Sequence, residues 1–440
     1  MKSKLLFFYL VVLCMSCTSC NGNGPVVPPE PKDSIPAKPM VIYECNERLF
    51  ARQKAFAAIE DYIPTLSDMG VTVLWLMPVQ PRGKDSKSVG SPYCISNFRS
   101  VEPAFGTMDD LKALVNTAHN HGMRVMLDWV ANHTSWDNPW VKAHPDWYQE
   151  AQTSDEKLWK DVTFLNYNVQ EVCDTMQACM TYWIDEADID GFRCDYASGV
   201  SARFWKDAIA EIRRHKSDAI MLAESSTTNL YAAGFDLLYS WNYMYTIEKL
   251  YMGTGSFNSL LSTSETEYKS TPNGKERMRY ITTHDESSEK APSSVYHSAQ
   301  GELSAFCLTA FLAGVPMIYS SQELGHMNAI NFFNYQLLDF KSENATRNAL
   351  KAILNAYRET EPLRAGTRET GALNNKVPYI EYSDETEAMI IICNTANSEQ
   401  EVTYPEAYQG AMVTDLLTGE PAQLATTTTL APYEYRIYKH

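Results

Sequence analysis

The chain has 440 residues, 45% hydrophobic and 21% charged, enough to bury a large core as one barrel with a small partner domain. Its 54 acidic residues against 37 basic ones give a formal charge of −17. That balance excludes nucleic acid and an anionic membrane surface as electrostatic partners.

Residues 1–20 read as an export signal rather than fold. Lys2 and Lys4 precede the apolar run LLFFYLVVL, which is too short to span a bilayer. The small residues before Cys17 and Cys20 resemble a bacterial lipoprotein processing site, where a cysteine becomes the lipidated first residue. The leucine usual three positions earlier is replaced by Cys14 or Cys17. The choice between Cys17 and Cys20, and ordinary signal cleavage, therefore stay open. Residues 21–39 carry six prolines and no periodic pattern. At about 3.1 Å per residue such a linker reaches on the order of 60 Å. The expectation is an exported protein, lipid-anchored in the outer membrane or periplasm of a Gram-negative bacterium, that meets the membrane only through its anchor. Of ten cysteines, the seven outside positions 14, 17 and 20 are scattered, among them Cys45, Cys194, Cys307 and Cys393. They read as buried thiols, not as a disulfide framework or a thiolate metal site.

From residue 40 to 362, short apolar runs alternate with amphipathic stretches. The runs cover residues 41–46, 71–78, 124–130, 189–195, 220–224, 235–240, 280–285 and 315–321. Between them, Leu111, Leu114, Val115 and Ala118 share one helical face that stops at Gly122. Val172, Met176, Cys179, Met180, Trp183 and Ile184 share another. Eight strands, each followed by room for a helix, predict a (β/α)8 barrel. Residues 134–168, rich in Trp and Asp, are too long for an ordinary connection and predict a short excursion over the barrel mouth. After the amphipathic run ATRNALKAILNAYRE, residues 363–440 break into short β runs such as AMIIICN and YEYRIY. They predict a C-terminal antiparallel β-sandwich domain.

Barrel sites lie at the C-terminal ends of the strands. Asp128 falls at the end of the third predicted strand, Asp195 of the fourth, Glu224 of the fifth and Asp285 of the seventh. One such carboxylate is easily a helix cap. Four in one mouth concentrate negative charge, at a cost in stability that chemistry would explain. A lone Arg-x-Asp such as Arg193–Asp195 is ordinarily a structural ion pair, but that reading leaves the other three carboxylates unexplained. Arg193 and Asp195 share a strand face, so the guanidinium favours the carboxylate form of Asp195 that a nucleophile requires. Glu224 follows IMLA and has no basic neighbour in sequence, which favours the protonated form of a general acid. Strands about 4.8 Å apart would bring the two carboxyls to the roughly 5–5.5 Å of a retaining glycosidase.

With these residues in place the chain resembles the α-amylase family of glycoside hydrolases, family 13, across residues 40–440. DWVANH (128–133), GFRCD (191–195), the Glu of MLAES and TTHD (282–285) are similar to the family's four signatures, in order. SPYCISNF with FGTMDDLKALV, and GVPMIYSSQE, match further family patterns. The resemblance implies Asp195 as nucleophile, Glu224 as acid/base, and Asp285 gripping the hydroxyls of a distorted sugar ring. It implies His133 and His284 hydrogen-bonding that sugar, Tyr93 stacking on it, and Asp128 and Asn132 organising the mouth. Trp129, Trp136, Trp140 and Trp147 are candidate sugar platforms, with packing at least as good an explanation for each.

The chain also departs from the family. Thr283 stands where an Asn commonly precedes the His-Asp pair. Phe164 stands where the family usually has an aspartate, and Gly199 where many members have a histidine. The last two belong to the usual calcium site, so no cofactor is expected and loss of that calcium is the expectation. The function implied is retaining hydrolysis of α-1,4 links in starch-derived chains or malto-oligosaccharides. A cyclomaltodextrinase, neopullulanase or 4-α-glucanotransferase is the sibling reading, and a non-catalytic starch-binding lipoprotein the alternative of another class. Oligomeric state is not written in the sequence.

Overall fold

The computed structural model describes residues 39–88, 90–360 and 362–440. The export signal, Cys17, Cys20 and all but the last residue of the proline-rich linker lie outside the described residues. Eight parallel strands close into a barrel: β1 (Ile42–Cys45), β2 (Val73–Leu76), β3 (Arg124–Trp129), β4 (Gly191–Cys194), β5 (Ile220–Ala223), β6 (Leu237–Leu238), β7 (Glu276–Arg279) and β8 (Val315–Tyr319). Each strand pairs with the next in sequence, and β8 pairs with β1, which leaves the sheet no open edge.

Seven strands fall within the predicted runs. The seventh does not: β7 is the charged stretch ERMR, and the apolar run 280–285 follows it. Arg277 and Arg279 are nonetheless buried, because their donors are satisfied. Arg279 pairs with Glu267 and donates to the Ala313 carbonyl at 3.0 Å, while Arg277 donates to Thr271 Oγ1 at 2.9 Å. Asp285 accordingly does not end a strand. It lies in the first turn of a short helix, His284–Glu289, where the Thr283 hydroxyl accepts from its backbone N–H at 3.2 Å.

Side-chain alternation sorts the strand residues into two cores. Ile42, Val73, Trp75, Met126, Leu222, Met278 and Met317 fill the barrel interior. Tyr43, Leu74, Val125, Phe192, Met221 and Ile318 pack outward into the helix layer. Helices Met108–Asn120, Gln170–Ala187 and Ala345–Glu359 form where the periodicity places them, and the first two bury the predicted faces. Thr107 and Asp110 close a capping box on the first of these helices. The same alternation sets the contents of the mouth. Two residues beyond Ile42 is Glu44, beyond Met126 is Asp128, and beyond Leu222 is Glu224. Gly191, two residues before Arg193, takes φ +149°, and a Cβ there would lie 1.9 Å from the Ile220 carbonyl oxygen. Only glycine lets β4 approach β5 at that level.

Within the predicted excursion, His133–Ser135, Tyr148–Gln149 and Val162–Leu165 form an antiparallel sheet with the last strand in the middle. Beyond Ala345–Glu359, residues 367–439 form a six-stranded and a two-stranded antiparallel sheet, the expected sandwich. Its own core contains Val377, Ile390, Ile392, Val402 and Leu430. The other face of the larger sheet, with Ile380, Met389 and Ile391, joins the helix-layer core. The seven cysteines of the described residues are free thiols, and all but Cys173 are buried.

Candidate active site

A cavity of about 250 Å³ opens at the C-terminal ends of the barrel strands. Of the residues singled out in the sequence, Tyr93, His133, Asp195, Glu224, His284 and Asp285 line it. Arg193 and Asp128 lie beneath its floor, each fully buried, and Asn132 is turned away toward the excursion.

Arg193 is the centre of the floor. Its Nη1 donates to Asp128 Oδ1 at 2.8 Å and to Asp195 Oδ1 at 3.0 Å, and its Nε donates to the Tyr239 hydroxyl at 3.1 Å. The rings of Trp75, Tyr93 and Tyr239 surround it at 5.2, 5.8 and 5.5 Å. Its Nη2 lies 3.1 Å from Glu224 Oε2. This last contact corrects the sequence reading, in which Arg193 acts on Asp195 and no basic group stands beside Glu224. The register explains it. Arg193 pairs with Leu222 and Cys194 with Ala223, so Asp195 and Glu224 follow side by side.

Burial pushes Glu224 up to about 8; Arg193 opposes the rise, and the negative charges of Asp195 and Asp285 add to it. Its carboxyl therefore carries a proton at neutral pH. Burial also raises Asp128 to about 6 against the pull of Arg193. Asp128 accepts hydrogen bonds from Trp75 Nε1 at 3.2 Å and from the Tyr93 hydroxyl at 3.1 Å. Burial lowers His133, which stays neutral.

His284 is held differently. Its Nδ1 is hydrogen-bonded to Glu44 Oε1, and its Nε2 lies 2.8 Å from the Tyr93 hydroxyl and 3.4 Å from Asp285 Oδ1. Burial alone would lower its pKa, but the charges of Asp285 and Glu44 and the bond to Glu44 raise it to about 10. Tyr93 stacks on the imidazole at 5.2 Å between centroids. Glu44 was missed in the sequence, although a carboxylate inside the apolar run VIYEC was a signal for it. Trp159, Asp161, Tyr196 and Phe333 also line the cavity and were missed. Trp159 and Asp161 come from the excursion, whose path no periodicity reveals. Of the four tryptophans considered as platforms, Trp129 is fully buried in the core and Trp147 is buried against His144. Trp140 stacks on Phe98, and Trp136 lies under the Lys87 ammonium.

The residues around Asn132 do not fit a calcium ion, which wants six to eight oxygens. Phe164 packs its ring near His133, and a Cβ on Gly199 would lie 2.3 Å from the Tyr196 ring. The Asn132 amide donates to Glu156 Oε1 at 3.4 Å, while Glu156 Oε2 accepts from the Gln152 and Thr153 N–H groups at 2.6 and 2.9 Å. Both oxygens of the Glu156 carboxylate are therefore engaged with donors. No cluster of three or more His, Cys, Asp or Glu arranged for a metal occurs among the described residues.

A closed parallel barrel whose mouth gathers carboxyls around one guanidinium defines a barrel protein built for carboxylate chemistry on a ligand. The family model for the alpha amylase catalytic domain matches residues 56–164 and 156–405, and the chain belongs to that family. It is 26% identical over 406 residues to the alpha-amylase MalA of Haloarcula japonica, covering 87% of this chain and 59% of that protein. It is 25% identical over 414 residues to a cyclomaltodextrinase of Geobacillus thermopakistaniensis, covering 86% of this chain and 69% of that one. The chain thus spans about three fifths of the length of the haloarchaeal relative. The crystal structure of an alpha-amylase from Lactobacillus plantarum shares the fold with a TM-score of 0.80 at 24% identity, over 91% of this chain and 98% of that one.

The Glu44–His284 pair is open to direct test. In Glu44→Gln the imidazole loses one of the two charges that hold its proton, so His284 should titrate well below its native value of about 10. Ring ¹⁵N–¹H NMR across pH reads this, and an unchanged titration would assign the effect to Asp285 alone.

Proposed function

We propose that the protein is a retaining α-glucan hydrolase cleaving α-1,4-glucosidic bonds in starch-derived polysaccharides and oligosaccharides. The observation that carries this reading is the register of β4 and β5. It sets Asp195 beside a Glu224 that keeps its proton, on strands about 4.8 Å apart. Asp195 attacks the anomeric carbon while Glu224 passes its proton to the departing glycosidic oxygen. Water then cleaves the glycosyl ester, with Glu224 taking the proton back. Asp285, half-exposed in the cavity, is suited to grip the sugar hydroxyls as the ring distorts. His133, Tyr93 and a positively charged His284 line the same wall and contact the same sugar. A non-catalytic starch binder would have no use for a protonated Glu224 next to a paired carboxylate. The similarity to a cyclomaltodextrinase favours cyclic or short glucans as a second reading.

The chain's departures around Asn132 support activity without calcium. The N-terminal signal and the proline-rich linker support export and a lipid anchor.

Four outcomes are expected. Asp195→Asn should lose several orders of magnitude in kcat while still binding maltoheptaose. In the wild type, the first product seen by NMR should be the α-anomer; fresh β-anomer would mean an inverting enzyme. Melting temperature and activity should not respond to a calcium chelator, and a drop restored by added calcium would overturn the calcium-free reading. Mass spectrometry of protein from its native host should find acylation at Cys17 or Cys20, and changing both to Ala should release the protein from membranes. An unmodified, soluble product would leave plain secretion.

A further inference from the structure

Tyr196 follows Asp195 directly, just past the end of β4, and its backbone is strained. It sits at φ 40° and ψ 48°, the left-handed region that a residue with a side chain rarely adopts. Such a conformation persists only where the surroundings over-determine it.

The surroundings here do so from the excursion. The Tyr196 hydroxyl is 3.2 Å from Thr153 Oγ1, and its ring packs edge-on to Trp159 at 4.9 Å. Thr153 is itself fixed, since its Oγ1 accepts from the Glu156 N–H at 3.1 Å and its own N–H donates to Glu156 Oε2 at 2.9 Å. On the other side the Gly199 N–H donates to the Tyr196 carbonyl at 2.9 Å, and a Cβ on Gly199 would collide with the tyrosine ring. A brace therefore runs from Glu156 through Thr153 to Tyr196.

Its far end is the general acid. The Tyr196 N–H donates to Glu224 Oε2 at 2.7 Å, and Arg193 Nη2 lies 3.1 Å from the same oxygen. A protonated carboxyl carries one O–H, and an oxygen that already faces two donors is the wrong place for it. The proton belongs on Oε1, and the carboxyl would lose its 2.7 Å bond by turning over. The charges facing this carboxyl are Arg193, Asp195 and Asp285; the Tyr196 N–H joins Arg193 in favouring the ionised form.

We propose that Tyr196 is a positioning residue whose left-handed backbone, braced through Thr153, fixes the Glu224 carboxyl with Oε1 as the oxygen that delivers the proton. The Oε1–H proton passes to the glycosidic oxygen as the C–O bond breaks, and the O–H electron pair stays on Oε1 as carboxylate. Tyr196 has this role only if Glu224 is the acid of the hydrolase reading above.

Two substrates isolate proton delivery: maltoheptaose, whose departing sugar needs the proton, and α-maltosyl fluoride, whose fluoride leaves without one. Tyr196→Ala keeps the penalty of a side chain and loses the brace. Its kcat should fall about thirtyfold on maltoheptaose and no more than about threefold on the fluoride. The basic limb of its kcat–pH profile should move to higher pH, because a donor to the carboxylate is gone. Tyr196→Gly lacks the ring as well, yet adopts the left-handed backbone freely and should recover most of the kcat on maltoheptaose. Equal kcat in the Ala and Gly variants, or equal losses on both substrates, would overturn the assignment and leave the ring as a sugar contact. If no Tyr196 variant folds, Thr153→Val decides: kcat on maltoheptaose should drop, with Thr153→Ser close to wild type, and an unchanged rate overturns the brace. Wild-type protein that cleaves neither substrate would instead remove the hydrolase reading.

Discussion

The mouth of this barrel depends on one buried guanidinium. Taking Arg193 out of water costs several kcal/mol unless its charge is compensated, and the barrel surrounds it with carboxyls, a tyrosine hydroxyl and three aromatic rings. One positive charge cannot balance three buried or half-buried carboxylates. Part of the remainder is met by a proton on Glu224, whose carboxyl burial pushes up to about 8, while Asp128, pushed up to about 6, accepts hydrogen bonds from Arg193, Trp75 and Tyr93. The protonation pattern that a two-carboxylate mechanism needs is therefore a matter of charge balance around Arg193, set before any substrate arrives. Removing the guanidinium would leave several acids facing one another, so the residue serves stability and chemistry together.

A second positive charge, on His284, lines the cavity beyond Tyr93 and draws on a different strand. Glu44 reaches it from β1 and Asp285 from beside it, while Tyr93 bridges its Nε2 to Asp128. The two cations are thus linked through Tyr93 and Asp128. The excursion that walls the cavity is fastened by hydrogen bonds of neutral and singly charged groups, Asn132 to Glu156 and Thr153 to Tyr196.

Much of this was legible in the sequence, because period-two and 3.6-residue patterns are local. Seven strands, the helix at Met108–Asn120, the helix at Ala345–Glu359 and the placing of Asp128, Asp195 and Glu224 at strand ends all follow from residues within one element of each other. What was hidden is long-range. β7 was concealed because Arg277 and Arg279 read as exposed until Glu267 and Thr271 are folded against them. The contact of Arg193 with Glu224 exists only once β4 and β5 are in register. Glu44 gains its meaning from a histidine 240 positions away. Trp159 and Asp161 reach the cavity through the loops of a small sheet whose strands are two to four residues long, too short to announce themselves.

The closure of the ring by β8 against β1 has a consequence for the history of each molecule. The first barrel strand to leave the ribosome pairs on one side with β2 but on the other with the last strand of the barrel, through Ile42 to Met317 and Glu44 to Tyr319. At about 5–20 residues per second of synthesis, β1 waits on the order of 10–60 s for that partner. During that interval an apolar strand edge stands open, and the Glu44 carboxylate beside it has neither its imidazole nor a roof. A chain with so many distant pairings completes its sheet late and exposes unpaired strand edges until it does.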